Sequence, residues 1–155
     1  MEIEIVENKK QSLYVYNSDE LLFYSTIKFN FLKKNLIKIF DFNNQLILEL
    51  ESHVTPFRST KYKILFQNIK IENITDDFLG FDEDKILKNI KSDFLKFNQN
   101  SVYLYNGIKV AEIKQKLWES QQRIMLNIDE EFLSFSNFII IHVLSTKTGY
   151  NSISD

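Results

Sequence analysis

The stretch from Asn127 to Thr146, near the end of the chain, limits the possible folds more than any other. Its sequence is NIDEEFLSFSNFIIIHVLST, and at about 100° per residue its large apolar side chains cover every side of a helix. Such a helix is either enclosed by protein or embedded in a membrane. Ser134, Ser136 and His142 interrupt the run, which is therefore too short for a span of about 20 apolar residues. The sequence predicts a helix that the rest of the chain encloses.

The two ends of this stretch carry the signals of a helix start and a helix stop. Asn127 is the predicted N-cap, and Glu130 follows at the spacing of a capping box. Acidic residues in the first turn and Lys147 near the end complement the helix dipole. Gly149 is the predicted C-terminal stop.

Most of the chain ahead of the helix alternates between apolar and polar residues, which predicts half-buried β-strands. The predicted strands cover residues 3–5, 13–16, 21–31, 36–40, 45–52, 62–66, 69–71, 94–97, 102–105, 108–113 and 123–128. Residues 74–91 fit this pattern poorly, and both a short surface helix and an irregular insertion remain open for them. Many short strands followed by one apolar helix predict a mainly β fold, a closed antiparallel β-barrel wrapped around a buried C-terminal α-helix.

One predicted hairpin has a strong turn signal, because Asn106-Gly107 is the preferred two-residue turn between antiparallel strands. The register that follows from this turn predicts a core face with Val102, Leu104, Ala111 and Ile113. It predicts an outer face with Tyr103, Tyr105, Ile108 and Val110. The hairpin strand also repeats the apolar-Tyr-apolar-Tyr-Asn pattern of residues 13–17. Two half-repeats of one barrel would explain this pattern, and so would the general preference of tyrosine for strands.

Composition and charge exclude several classes of protein. With 155 residues and 44% hydrophobic residues, the chain fits a single domain over residues 1–155. The net charge of −2 gives no basic field for nucleic acid. The absence of cysteine excludes disulfides, thiolate nucleophiles and cysteine-ligated metals. The N-terminal sequence MEIEIVENKK lacks the apolar segment of a signal peptide, so we expect a cytoplasmic location and no transmembrane segment.

The sequence contains none of the common catalytic or nucleotide-binding motifs. His53 and His142 are the only histidines, and neither stands in a metal-binding spacing. Ser134 and Ser136 are too far from His142 along a helix to form a Ser–His pair. We therefore predict that His142 is a core histidine with one satisfied hydrogen bond. We also expect no catalytic residue, no metal, no cofactor and no enzymatic activity.

The run from Tyr103 to Ser145 resembles the C-terminal half of the tubby-like and LURP-one-related (LOR) β-barrel families. The matching residues are YLYNGIKVAEIKQKLWESQQRIMLNID followed by EEFLSFSNFIIIHVLS. The segment LIKIFDFNNQLILEL resembles a strand-turn-strand of the first half, with Asn44 where glycine is common. The sequence also resembles the β-barrel of the phospholipid scramblases. The resemblance covers about two-thirds of the chain and implies a barrel around a central hydrophobic helix.

The resemblance also implies a function, because tubby-like barrels bind phosphoinositide headgroups through basic residues on the outer surface. In this sequence the candidate ligand-binding residues are Lys33, Lys34, Arg58, Lys61 and Lys63. They would make the protein a non-enzymatic binding or scaffold module for anionic phospholipid or a protein partner. The alternative is that these residues only form the solvent-exposed face of a sheet and bind nothing. Trp118, before a polar turn, is either an exposed anchor or a plug at the barrel end.

Two rival folds would imply a different function. A helix-grip domain lays a C-terminal helix against a curved sheet over a ligand cavity, but its helix is usually long and amphipathic. A lipocalin-like barrel keeps its interior open for a ligand. Either fold would make the protein a small carrier or enzyme with an internal pocket for an apolar ligand. A hollow interior with inward-facing polar groups would favour this alternative, and a filled interior would favour surface binding.

Overall fold

The computed structural model describes residues 1–30, 32, 34–55, 57–92, 99–116 and 120–150. Within them, twelve antiparallel strands form one sheet that makes a nearly closed barrel, and one α-helix follows. The strands are β1 Glu2–Glu7, β2 Leu13–Asn17, β3 Glu20–Lys28, β4 Lys34–Asp41, β5 Leu46–His53, β6 Lys61–Gln67, β7 Ile71–Ile74, β8 Phe78–Phe81, β9 Lys85–Ser92, β10 Asn100–Tyr105, β11 Ile108–Gln115 and β12 Arg123–Ile128. A 3-10 helix over Glu130–Phe135 leads into α1, Ser136–Lys147.

The sheet consists of two meanders of six strands each, but the repeated Tyr pattern does not occupy equivalent places in them. Residues 13–17 form the second strand of the first meander, and residues 102–105 lie in the fourth strand of the second. Strands β1 to β6 pair in chain order, and so do β7 to β12. The two halves join where β1 pairs with β12, with Ile3 opposite Leu126 and Ile5 opposite Ile124. The predicted burial of Ile124, Leu126 and Ile128 is confirmed.

The barrel is nearly closed and not fully closed, because no backbone ladder joins β6 to β7 among the described residues. Side chains bridge this seam instead. The Gln67 amide donates from Nε2 to the Ile71 carbonyl at 3.0 Å and accepts the Ile71 N–H at 2.9 Å, as a strand neighbour would. At the other end, the Asp76 carboxylate accepts the Thr60 N–H at 3.0 Å and the Tyr62 hydroxyl at 2.7 Å.

The C-terminal helix is buried over most of its length, but it begins later than the sequence predicted. Its buried residues are Ile139, Ile140, Ile141, His142, Val143, Leu144 and Ser145. Asn127 is not its N-cap, because this residue lies in β12 and pairs with Glu2 and Glu112. Because Asn127 is paired with strands on both sides, it belongs to the sheet, and the 3-10 helix begins only at Glu130. The helix ends as predicted, at Lys147 with Gly149 in the left-handed region at φ +74°.

The turn after α1 requires a glycine at position 149, both for its backbone conformation and because there is no room for a side chain. A Cβ at this position would overlap Cδ1 of Ile27 in β3. Together with its positive φ, this contact means that any other residue would strain the turn after α1. The end of α1 therefore packs closely against β3.

The hairpin of β10 and β11 has the predicted turn, but the face prediction for β10 is wrong. Tyr105 faces Ile108, yet Tyr103 faces Ala111, so Val110 is an extra residue in a β-bulge. The bulge shifts the pairing of β10 with β11 by one residue, so the β10 side chains beyond it point to the opposite face from the one predicted. As a result Tyr103 is buried, whereas Val102 and Leu104 are only half-buried. Ala111 and Ile113 are buried as predicted.

Residues 74–91 form neither a helix nor an irregular insertion, which corrects both readings. They complete β7, β8 and β9, with Leu79, Phe81 and Leu87 buried. The turn between β8 and β9 uses three left-handed residues, Asp82 to Asp84, and the Glu72 carboxylate accepts the backbone N–H groups of Glu83 and Asp84. Aspartate adopts this conformation more readily than most residues, and it occupies two of the three positions, so the turn forms without glycine.

One predicted strand is longer than the observed one, and two predictions concern residues outside the described part of the chain. Strand β3 ends at Lys28 and does not reach residue 31. The predicted strand at 94–97 and the predicted role of Trp118 lie outside the described residues.

Candidate functional site

The sheet brings three of the predicted basic residues to one face of neighbouring strands. Lys34 begins β4 opposite His53 of β5, and His53 is opposite Lys61 of β6. Lys63 is the next outward-facing position on β6. All three lysines are exposed. Lys33, the remaining lysine of this prediction, lies outside the described residues.

Arg58 lies in the loop that joins β5 to β6, so it stands at the same end of the barrel as Lys61. We call Lys34, Arg58, Lys61 and Lys63 the basic edge. One acidic residue interrupts it, because Glu51 faces Lys63 and its Oε1 lies 3.8 Å from the Lys34 Nζ. An ion pair at this exposure contributes little to stability, so the lysines remain available to an external anion.

Exposed apolar side chains accompany the basic edge. Phe57, next to Arg58, is fully exposed, and Leu32 in the loop between β3 and β4 is 69% exposed. Because Lys34 pairs with His53, these two loops emerge at the same end of the sheet. Large apolar groups beside cations are typical of surfaces that contact a partner or a membrane interface.

A cavity of about 690 Å³ opens beside the C-terminal half of α1. Its walls come from β4, β5, β6, β9, β10, β11 and the helix, together with the loop that carries Arg58. Lys91 and Lys147 also line it, and so do Asp76 and His142. Its volume is in the usual range for small-molecule sites, roughly 300–1,000 Å³.

Lys147 is held at the cavity wall by two contacts. Its Nζ donates to Oε1 of Gln99 at 2.9 Å and lies 4.9 Å from the centroid of the Tyr150 ring. Gln99 in turn donates to the Tyr150 hydroxyl at 2.7 Å. Burial and the nearby Lys91 lower the pKa of Lys147 from 10.5 to about 8, against the opposing attraction of Asp76. The charge of Lys147 is therefore costly to keep in the folded protein.

Replacing Lys147 by methionine is expected to stabilise the protein by roughly 1–3 kcal/mol near neutral pH. Methionine keeps the length of the side chain and removes the buried charge, which outweighs the lost bond to Gln99. Because the folded pKa is the lower one, the advantage shrinks as the pH rises above about 8 and the lysine loses its proton. Urea unfolding at two pH values measures the effect. Lys88→Met, at an exposed position of β9, is the matched control, and an equal change in both variants would contradict the prediction.

His142 is fully buried at the inner wall of the cavity, which agrees with its predicted place in the core. It makes two hydrogen bonds where one was expected: Nε2 lies 2.8 Å from the Thr75 carbonyl and Nδ1 lies 2.6 Å from the Tyr103 hydroxyl. A carbonyl only accepts, so Nε2 carries the hydrogen and the Tyr103 hydroxyl donates to Nδ1. Burial lowers the pKa of His142 to about 4, so the ring is neutral near pH 7.

The residues that line this cavity were largely absent from the sequence-based site prediction. Arg58 is the exception, because it belongs to both the basic edge and the cavity wall. Lys91 and Asp76 lie in the region whose strands were not predicted, and Lys147 was interpreted only as a helix-end cation. A cation in the last turn of an apolar buried helix was the available signal for Lys147.

The described residues include no group of three or more His, Asp or Glu side chains placed to hold a metal ion. In the same part of the chain, no helix has the length and apolar character needed to cross a membrane.

Comparisons with protein-family models, with curated proteins and with solved structures found no match. The class of protein that can be stated is therefore structural: a mainly β, nearly closed antiparallel barrel with one C-terminal helix. The resemblance to the tubby-like and LURP-one-related families remains a prediction, and the barrel shape is consistent with it.

Proposed function

We propose that this protein is a non-enzymatic binding module that attaches to anionic phospholipid through one end of its barrel. The observation that carries the proposal is the placement of the basic edge beside two exposed apolar side chains, Phe57 and Leu32. Cations gain about 1 kcal/mol each near an anionic membrane, and apolar side chains gain from entering its interface. The proposal places the protein at the cytoplasmic leaflet, where anionic lipids are concentrated.

The proposal includes a barrel that encloses α1 as its central core. Buried residues occur on successive positions from Ile139 to Ser145, so every side of this part of the helix is covered. Its neighbours come from distant strands: Phe138 stacks on Phe81 of β8, His142 bonds Tyr103 of β10, and Thr148 after the helix bonds Ser25 of β3. A rigid core of this kind would hold the loops of the basic edge in fixed positions.

The proposed membrane attachment predicts that Lys61→Glu/Lys63→Glu weakens vesicle binding by about tenfold or more, since each reversal removes one attractive charge and adds a repulsive one. Co-sedimentation with phosphatidylcholine vesicles that contain about 20% phosphatidylserine measures it, and binding of the parent protein is expected to fall as salt is added.

Lys114→Glu/Lys116→Glu is the matched control for this experiment. These two lysines are exposed, have the same spacing, and lie at and after the end of β11, far from β6 in the sheet order. The control is expected to bind vesicles as the parent does, apart from the shared change in net charge. No binding by the parent at low salt, or equal loss in both double variants, would refute attachment through the basic edge.

A carrier of a small ligand is the second candidate function, and the cavity beside α1 is the observation that favours it. The sequence-based version of this idea assumed an apolar ligand. Charged groups on the cavity wall favour a ligand with a charge of its own, because an apolar ligand would leave Lys147 and Asp76 buried without solvent.

A further inference from the structure

The cavity beside α1 is more positive than the protein as a whole. Arg58, Lys91 and Lys147 line it, and Asp76 is the one carboxylate among its described lining residues. The whole chain, in contrast, has a net charge of −2. The concave wall therefore concentrates positive charge. Arg58 and Lys91 are exposed there, and Lys147 is partly buried, where the surroundings strengthen the effect of its charge.

Asp76 attracts Lys147 through space but forms no ion pair with it in the described part of the chain, and both of its oxygens accept hydrogen bonds from other groups. One accepts the Thr60 N–H and the other accepts the Tyr62 hydroxyl, which together bridge the seam between β6 and β7. Burial and the charge of Asp76 raise the pKa of Tyr62, so this phenol keeps its proton and continues to donate. Among the described residues, none of the three cations forms an ion pair.

The cavity wall also has hydrogen-bond donors that are only partly used. Lys147 has three ammonium protons, and one of them is directed to Gln99. The buried hydroxyl of Thr55, another lining residue, has no hydrogen-bond partner in the described part of the chain. A buried polar atom without a partner is uncommon, and a bound ligand is one way to satisfy it.

The size and remaining walls of the cavity indicate what kind of anion would fit. A volume of about 690 Å³ is far larger than an inorganic anion needs, and it is typical of a site for an organic molecule. Apolar and aromatic groups from Val54, Val143 and Tyr150 complete the lining. The ligand would therefore have a strongly anionic group and an organic body.

We propose that this cavity binds a soluble organic phosphate monoester, with the phosphate among Arg58, Lys91 and Lys147 and the organic body against the apolar wall. Arginine and lysine together suit a phosphate dianion, because the guanidinium binds two oxygens and the ammonium supplies a point charge. The proposed site shares Arg58 with the basic edge but none of its lysines. Variants of Lys61 and Lys63 therefore test membrane attachment separately from phosphate binding.

Isothermal titration calorimetry with phenyl phosphate tests the proposal. The parent protein is expected to bind phenyl phosphate at least about tenfold more tightly than inorganic phosphate, and to show no binding of phenol, which lacks the charge. Lys147→Met and Lys91→Met are each expected to weaken binding by about tenfold or more. Both variants are expected to stay folded, because Lys91 is exposed and Lys147→Met removes a charge that is costly to bury.

Lys114→Met, an exposed lysine of β11 outside the cavity, is the matched control and is expected to bind as the parent does. Vesicle binding distinguishes the two sites: Lys61→Glu/Lys63→Glu is expected to keep phenyl phosphate binding, and Lys147→Met is expected to keep vesicle binding. The proposal is overturned if the parent binds no phenyl phosphate up to about 10 mM. It is also overturned if folded Lys91→Met binds like the parent, or if inorganic phosphate binds equally well.

Discussion

The variant Ile140→Asp is expected to be unfolded under conditions in which the parent protein is folded. Ile140 lies in the middle of α1, is 1% exposed and belongs to the hydrophobic core. An aspartate there would bury a charge without a partner, and this cost is on the order of 5 kcal/mol. Whole domains are stable by only about 5–15 kcal/mol, so one such change can abolish folding. Circular dichroism and thermal unfolding measure the result.

Asn137→Asp is the matched control, because Asn137 is an exposed residue of the same helix. It introduces the same charge where water can solvate it, and it is expected to change the melting temperature little. Glu131→Gln, at an exposed position of the preceding 3-10 helix, is also expected to be nearly neutral. Similar melting temperatures for Ile140→Asp and Asn137→Asp would mean that α1 lies on the surface.

The second large effect is a loss of stability in mildly acidic solution. Burial lowers the pKa of His142 from 6.5 to about 4. Between these values the unfolded chain binds a proton that the folded protein does not, so the free energy of unfolding falls as the pH falls. The contribution is fully present above about pH 6.5, and about 3 kcal/mol is lost by pH 4. Urea unfolding across this range measures it.

His142→Gln separates this effect from the titration of carboxylates, which occurs in both proteins. The glutamine amide offers a donor for the Thr75 carbonyl and an acceptor for the Tyr103 hydroxyl, but it takes up no proton. The variant is therefore expected to lose less stability than the parent between pH 6.5 and pH 4. An equal loss in both proteins would show that His142 is not the responsible group.

The mainly β class, most strands and the buried helix were predictable because their signals are local. The alternation of apolar residues in β12 and the uniform apolar surface of α1 each identify an element without reference to its neighbours. The start of the helix was not predictable in the same way. Asn127 has the chemistry of an N-cap, but its place in a strand is decided by pairing with Glu2, which is remote in sequence.

The burial of Tyr103 shows how a single extra residue in a strand makes a face assignment based on alternation wrong. The turn at Asn106-Gly107 was identified correctly, and the face assignment failed because Val110 is an extra residue in the partner strand. Bulges depend on tertiary packing, and here the packing partner is His142 on α1. Residues 74–91 were missed for a related reason, since left-handed acidic residues form the turn where a glycine would have been a clear signal.

The candidate site was predictable only where it follows strand alternation. Lys61 and Lys63 stand on one face because they are two residues apart in a strand. The cavity, in contrast, brings together Arg58, Lys91 and Lys147 from three distant segments. No local pattern links these residues, because their proximity depends on the curvature of the whole sheet and on the end of α1.

The pairing of β1 with β12 has a consequence for how the chain folds. Each six-stranded half is a meander whose neighbours are close in sequence, so each can form through short loop closures. The contact between the halves, in contrast, joins Ile3 to Leu126 across most of the chain. Contacts of such high sequence separation are slow to form. We therefore expect assembly by docking of two preformed halves, with the β1–β12 ladder as the late step and exposed strand edges on both halves until it is complete.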